Sequence, residues 1–300
     1  MKKLLYYLGI TFKGICMGAA DVIPGVSGGT IAFLMGIYEE LINSIKSVNS
    51  QAFKYLFSGK ICEFWKYING TFLVSLLSGI LISVFTLAKL MQYLLQYHPI
   101  TLWSFFFGLI LASAVYILIG LDKWSFKNIL SLLIGVALAA FICLATPGST
   151  PDAYWFVFLS GAIAICAMIL PGISGSFILL LMSKYHFIMD AVTSLNIPVL
   201  ITFAAGAAIG IISFSHFLSW LLRKFYMQTI ALLSGFMLGS LIKVWPWKEL
   251  VGEGIDFPVL PHKYQALTGN SALLWESIFF AIIGVVIVLI IEKFAAKKGV

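Results

Sequence analysis

The sequence predicts an all-α polytopic membrane protein, an inverted-topology repeat of six transmembrane helices and two re-entrant helical hairpins forming a single membrane domain over residues 1–300. Three observations predict it. Hydrophobic residues make up 61% of the chain and charged ones 10%, with a mean hydropathy of +1.03, which excludes a soluble domain. The hexapeptide PGVSGG at 24–29 returns as PGISGS at 171–176, an offset of 147 positions. Basic residues gather in alternate loops, the pattern of positive-inside topology.

The opening MKKLLYYLGITFKG has the basic start and apolar run of a cleavable leader, but Lys13 cuts the run short, so the segment is read as retained. Residues 4–22 and 28–46 then form two half-helices of roughly 17 to 19 residues around a tip at 23–29, long enough to reach the bilayer midplane. Residues 154–170 and 175–192 mirror them around a second tip at 170–176. Long apolar spans begin near Thr71, Thr101, Asn128, Ile197, Gln228 and Ser271. GLILAS at 108–113 matches GFMLGS at 235–240 with an offset of 127, and Gly135 and Gly284 mark the third span of each half. The first repeat is therefore 4–146 and the second 154–292.

Loop charges decide that the broken segments turn back. If they do, the Lys54, Lys60 and Lys66 loop, the Lys123 and Lys127 loop, the Arg223 and Lys224 loop and the Lys293, Lys297 and Lys298 tail all share the side of the N-terminus. A single crossing would strand the first two of those loops outside. Hairpins leave an odd number of crossings per half, which inverts the second half and puts both termini in the cytoplasm. The net charge of +7 thus reads as topology rather than nucleic-acid binding. Cys16, Cys143 and Cys166 lie in apolar segments and Cys62 in a loop, without metal-ligand spacing, so no metal and no cofactor is expected.

The chemistry follows from the breaks. Each returning half-helix starts at a tip and leaves backbone N–H groups without intrahelical partners. Ser27 and Ser174 suit the N-cap, and Gly28, Gly29 and Gly175 allow a ligand to approach the backbone; with Thr30 and Ser176 they make two helix starts that attract an anion. Pro24, Gly25, Pro171 and Gly172 form the hinges. The plainer reading, kinks that only let helices pack closely, is weakened by the recurrence at symmetric positions. Among the other intramembrane ionisable residues, Lys13, Lys89 and Arg223 are expected to meet an anionic head group, and Asp21 and Glu39 a coupling cation. Lys13 and Asp21, eight apart, share one helix face, where a structural ion pair is the alternative. Glu40 is explained by interfacial solvation. Lys89 and His216 are equivalent under the 127 offset, and snorkelling accounts for Lys89 equally well.

GAADVIPGVSGGTIAFLMGIYEELI in the first half and LPGISGSFILLLMSKY in the second resemble the bacterial polyprenyl-phosphate (undecaprenyl phosphate) translocases, and the likeness covers essentially the whole chain. One departure is Ser183 where the first half has Gly36. The resemblance implies flipping of undecaprenyl phosphate from the outer to the cytoplasmic leaflet of the bacterial cell membrane, recycling the lipid carrier of envelope synthesis. The electrical cost of carrying such a head group inward, with no nucleotide-binding motif to supply energy, is what predicts H⁺ or Na⁺ as a coupling cation. Membrane phosphatases acting on polyprenyl diphosphates carry a similar PG-x-S-R-S-G motif. Here the arginine position holds Gly28, and Gly175 in the second half, which removes the main stabiliser of phosphoryl transfer and favours a transporter over an enzyme. An ion-coupled carrier of a small soluble anion stays open at this point. The oligomeric state is not legible.

Overall fold

The computed structural model describes residues 2–22, 26–250 and 256–296. Its elements in order are α1 (Lys2–Asp21), α2 (Gly28–Leu34), α3 (Tyr38–Lys46), α4 (Ser50–Phe57), α5 (Ile61–Tyr67), α6 (Gly70–Tyr97), α7 (Pro99–Ile119) and α8 (Phe126–Leu144). The second half continues with α9 (Tyr154–Ile169), α10 (Gly175–Leu181), α11 (Tyr185–Thr193), α12 (Ile197–Lys224) and α13 (Tyr226–Ser240). A two-stranded antiparallel pair, β1 (Lys248–Leu250) and β2 (Asp256–Pro258), then precedes α14 (Pro261–Thr268) and α15 (Leu274–Ala296).

Among the described residues, five helices are long and apolar enough to cross a membrane: Gly70–Leu87 within α6, then α7, α8 and α12, and Leu274–Ile291 within α15. The bent pair α10 and α11, which meet at 109°, makes a sixth if counted as one span. Large side chains such as Phe85, Phe141 and Phe279 stand exposed on these helices, as lipid-facing surfaces require. The protein is thus an all-α polytopic membrane protein.

Two expectations need correction. The span expected from Gln228 is α13, whose 15 residues rise about 22 Å against a hydrocarbon core of about 30 Å, so a crossing there takes in the turns over residues 241–244 as well as the helix. Past Ser240 the chain meets Trp245-Pro246-Trp247, and proline cannot continue a helix. The returning limbs expected as continuous half-helices over 28–46 and 175–192 are each two helices. The breaks fall at equivalent places, with Gly36 at φ +66° and Ser183 at φ +51°. The serine adopts the left-handed conformation that glycine takes without steric cost, so the departure in sequence preserves the backbone shape.

The chain packs as two compact units, each drawing on both halves of the sequence. One comprises residues 1–88, 147–170 and 174–226 and so holds both broken segments, apart from residues 171–173, with most of α6 and all of α12. In its first-half part α1 lies on α6: a Cβ on Gly14 would collide with the Leu76 carbonyl, and one on Gly79 with that of Thr11. In its second-half part α9 lies on α12 in the same way, Gly161 against Phe203 O and Gly206 against Phe158 O. Residues 14 and 11 map onto 161 and 158 by the 147 offset, and 79 and 76 onto 206 and 203 by the 127 offset. Close backbone approach through small residues is what packs helices tightly in lipid.

The other unit comprises residues 89–146, 171–173 and 227–300. Here α7 packs on α15, with Gly108 against Ala281 O and Gly284 against Phe105 O, and α8 packs on α13, with Gly135 against Leu232 O and Gly235 against Leu132 O. These contacts too are equivalent pairs. Past α13, Trp247 donates its indole N–H to Ala272 O and Trp245 to Val259 O, both at 2.8 Å, fixing the strand pair and α14 as a cap over Ile100 and Val259.

Candidate functional site

The two broken segments meet inside the first unit. Ser27 donates its hydroxyl to the carbonyls of Met168 (3.1 Å) and Leu170 (3.3 Å), and Tyr38 donates to that of Ile169 (3.2 Å). These carbonyls end α9 and have no intrahelical partner, so the first hairpin caps the limb entering the second. The approach is tight: a Cβ on Gly29 would sit 2.5 Å from Ile169 O.

Lys13 and Asp21 lie on one face of α1, as the spacing predicts, but grip the two ends of α2 instead of each other. Asp21 Oδ1 accepts the Gly28 N–H at 2.6 Å. Lys13 Nζ donates to the carbonyl of Met35, the C-cap residue of α2, also at 2.6 Å. Eight residues of α1 rise about 12 Å and the seven of α2 about 10 Å, so the two charges match the helix they bracket. A carboxylate at the positive end and an ammonium at the negative end complement the helix dipole.

At the first tip the donors are consequently occupied. Beyond Gly28, the Gly29 N–H goes to Ser27 Oγ at 3.1 Å and that of Thr30 to Ser27 O at 3.0 Å, and all four residues are buried. Pro24 and Gly25 lie outside the described residues. The second tip differs. Pro171 and Gly172 form its turn, with Gly172 at φ +93°. Ser174 Oγ accepts from the Phe177 N–H at 3.2 Å and lies 3.3 Å from Ser176 Oγ. Gly175 and Ser176 are half-buried, and among the described residues their amides meet no hydrogen-bond acceptor. The position equivalent to Asp21 is Met168, so no carboxylate closes this tip.

The remaining sequence candidates lie elsewhere. Glu39 is exposed in the first turn of α3, where its charge faces Tyr226. Glu40 is tied by Tyr6 (3.0 Å) and Asn69 (2.9 Å), a structural role. Lys89 is exposed, and His216 bonds to Ile212 O of its own helix. Arg223 ends α12, where it faces Lys46, a like charge that sequence reading passed over. Lys46 in turn donates to Ser219 Oγ at 3.2 Å, and Ser219 donates to Asn43 Oδ1 at 2.9 Å.

Lys184 was also missed. It is 1% exposed, at the break between α10 and α11, where it pairs with Asp152 at 2.5 Å and donates to Thr150 O at 3.1 Å between the rings of Phe156 and Phe187. The same loop sends Thr150 Oγ1 to the carbonyl of Met182, the equivalent of Met35. Each break therefore has its last helical carbonyl capped by a donor from outside, a lysine in one half and a threonine in the other. A lone lysine in the apolar run FILLLMSKY is the signal that marks it.

Comparisons with known proteins agree with the resemblance seen in the sequence. The family described as undecaprenyl phosphate translocase-like matches residues 17–257. A polyprenyl-phosphate transporter of Vibrio cholerae serotype O1 is 44% identical over 305 aligned positions, covering 98% of this chain and 99% of that protein. A polyprenyl-phosphate transporter of Staphylococcus aureus is 32% identical over 252 positions, covering 78% and 84%. No solved structure matches. With a family match over most of its length and relatives this similar, the chain belongs to the undecaprenyl phosphate translocase-like family.

Proposed function

We infer that this protein translocates a polyprenyl phosphate across the membrane as a transporter rather than an enzyme. The observation that carries the reading is the meeting of the two broken segments, with Ser27 bonded to the end of α9. The start of α2 thus lies against the end of α9, four residues before the Ser174 N-cap of α10, and helix starts in a membrane suit an anionic head group that bare hydrocarbon would exclude. Reconstituted protein is tested by head-group inversion of a labelled polyprenyl phosphate against release of inorganic phosphate from a polyprenyl diphosphate. Inversion without release is the expected outcome; release would make it a phosphatase.

The head group is held between the tips, first by the open amides of Gly175 and Ser176 with the hydroxyls of Ser174 and Ser176. Gly28, Gly29, Thr30 and Ser27 contribute when Asp21 gives up the Gly28 amide. Pro24, Gly25, Pro171 and Gly172 serve as hinges, while Lys13, Lys89 and Arg223, the last beside Lys46, lie on the path. Asp21 carries the coupling cation, H⁺ or Na⁺, with Glu39 as second carboxylate. Transport runs from the outer to the cytoplasmic leaflet of the bacterial cell membrane.

Repeats 4–146 and 154–292 form one inverted-topology membrane domain with re-entrant hairpins. The matched glycine contacts under the 147 and 127 offsets support this reading. It puts both termini and the loops at Cys62 and Ser125 in the cytoplasm, and Ser149 outside. An impermeant maleimide added to whole cells is expected to modify Ser149→Cys in a Cys62→Ser background, but neither native Cys62 nor Ser125→Cys. Labelling of Cys62 from outside overturns the orientation.

A further inference from the structure

We propose that the ends of α3 and α12 form a binding site for a phosphate monoester head group, where the translocated lipid is delivered at the cytoplasmic face. This rests on the transport reading above. The site consists of two cations held side by side. Asn43 and Lys46 are one turn apart on α3, and Ser219 and Arg223 are one turn apart on α12, so each pair shares a helix face. Ser219 ties the two faces together: it accepts from Lys46 Nζ at 3.2 Å and donates to Asn43 Oδ1 at 2.9 Å. Lys46 is thereby turned toward Arg223.

Two like charges brought together repel, and no described carboxylate pairs with either. The ion pairs between described residues fall on Lys60, Lys184 and Lys263. Glu39 and Glu40 stand at the other end of α3, where Glu39 faces Tyr226 and Glu40 is held by Tyr6 and Asn69. A topological role asks only for basic residues on this side, which Lys54, Lys60 and Lys66 supply; it does not require Lys46 to be anchored on α12. A doubly charged ligand does. A phosphate monoester carries about −1.5 to −2 and offsets both cations, with the guanidinium fork matching two of its oxygens. A singly charged phosphodiester leaves part of the repulsion in place.

The surroundings suit a lipid rather than free phosphate. Phe217 and Trp220, 52% and 44% exposed, stack 6.2 Å apart on the adjoining face of α12 and offer the first isoprene units an apolar surface. Lys224 lies over the Trp220 ring at 5.5 Å, so its ammonium is occupied on an aromatic face. Tryptophan and basic residues at the end of a spanning helix mark the level of the lipid head groups. In the proposed topology that level is the cytoplasmic one, shared with the loop that carries Lys54, Lys60 and Lys66.

The test uses purified protein in phosphatidylcholine nanodiscs and geranylgeranyl phosphate carrying a diazirine on its first isoprene unit. After illumination, adducts are mapped by mass spectrometry. They are expected on residues 43–50 and 216–226, and excess unlabelled geranylgeranyl phosphate is expected to suppress them. The same excess of phosphatidylglycerol or inorganic phosphate should leave them unchanged. Lys46→Gln and Arg223→Gln should each lower the yield on these segments by about tenfold. Lys46→Arg should keep it, which separates loss of charge from loss of fold, and Lys224→Gln should keep it too, because that charge lies outside the pair. The proposal is overturned if these segments carry no adducts, if adducts survive both glutamine variants, or if phosphatidylglycerol or inorganic phosphate competes equally. Equal loss in Lys224→Gln would reveal diffuse surface charge, and equal loss in Lys46→Arg a packing effect; either overturns it as well. Labelling is read without transport: a protein that flips lipid but is not labelled here refutes this site alone, and labelling in a protein that flips nothing refutes the transport reading alone.

Discussion

Asp21→Asn is expected to abolish the dependence of flipping on an H⁺ or Na⁺ gradient in a protein that still folds. Asparagine keeps an oxygen to accept the Gly28 N–H, now bonded at 2.6 Å, so the local geometry survives while the charge is lost. The size of the effect follows from the load. A phosphate head of charge about −1.5 to −2 moving inward against 100 mV, inside negative, costs roughly 3.5 to 4.6 kcal/mol. One accompanying cation offsets about 2.3 kcal/mol, near a 50-fold change in the attainable leaflet ratio per 100 mV. The geometry also suggests how ion and substrate take turns: the carboxylate occupies an amide at the first tip that the phosphate also needs, and a cation on Asp21 weakens its hold there. Glu39→Gln should have a smaller effect, because Glu39 is exposed. Flipping measured under imposed pH, Na⁺ and voltage gradients decides this. Wild-type indifference to all three, or an Asp21→Asn variant that responds like wild type, would end the coupling hypothesis.

Gly175→Val should remove most transport while Gly9→Ala leaves it intact. A Cβ on Gly175 would lie 2.7 Å from Ala164 O, a backbone atom that cannot step aside, and valine adds two methyls over the open amides. Such overpacking costs about 1–3 kcal/mol, enough to lower stability without unfolding a typical domain. Gly9 has nothing within 4 Å of the added atom and controls for expression and insertion. Gly28→Ala probes the first tip: its Cβ would stand 2.8 Å from Asp21 Cγ, so it should disturb ion dependence before it disturbs folding. Normal flipping by Gly175→Val, in a variant that elutes as wild type does, argues decisively against a head group held at the tips.

The sequence carried the class and the paired tips, because these are local in composition or recur at fixed spacing, whereas the glycines that bring helices together were not singled out in it for that role. Gly14 and Gly79, or Gly108 and Gly284, become meaningful once the offsets are known. What sequence could not carry depends on chain reversal. Lys13 and Asp21 are visibly on one face of a helix, yet their partners are the two ends of α2, which come near only after the turn. The breaks after Leu34 and Leu181 hide inside apolar runs, and Ser183 in the left-handed region carries no signal until its equivalence to Gly36 is used. The shortness of α13 was readable in Trp245-Pro246-Trp247 but outweighed by the apolar residues before it. Pairing of α7 with α15 and of α8 with α13 crosses the halves, which a reading along the chain keeps apart.

Head-group inversion in proteoliposomes tests the central claim most directly. Purified protein is reconstituted with a labelled polyprenyl phosphate, and the label is quenched from outside by an impermeant reagent over time. The account predicts that wild type makes the inner-leaflet label accessible far faster than empty liposomes do, and that Gly175→Val lies close to the empty control. Equal rates in wild-type and protein-free liposomes, under every imposed ion gradient, would contradict it.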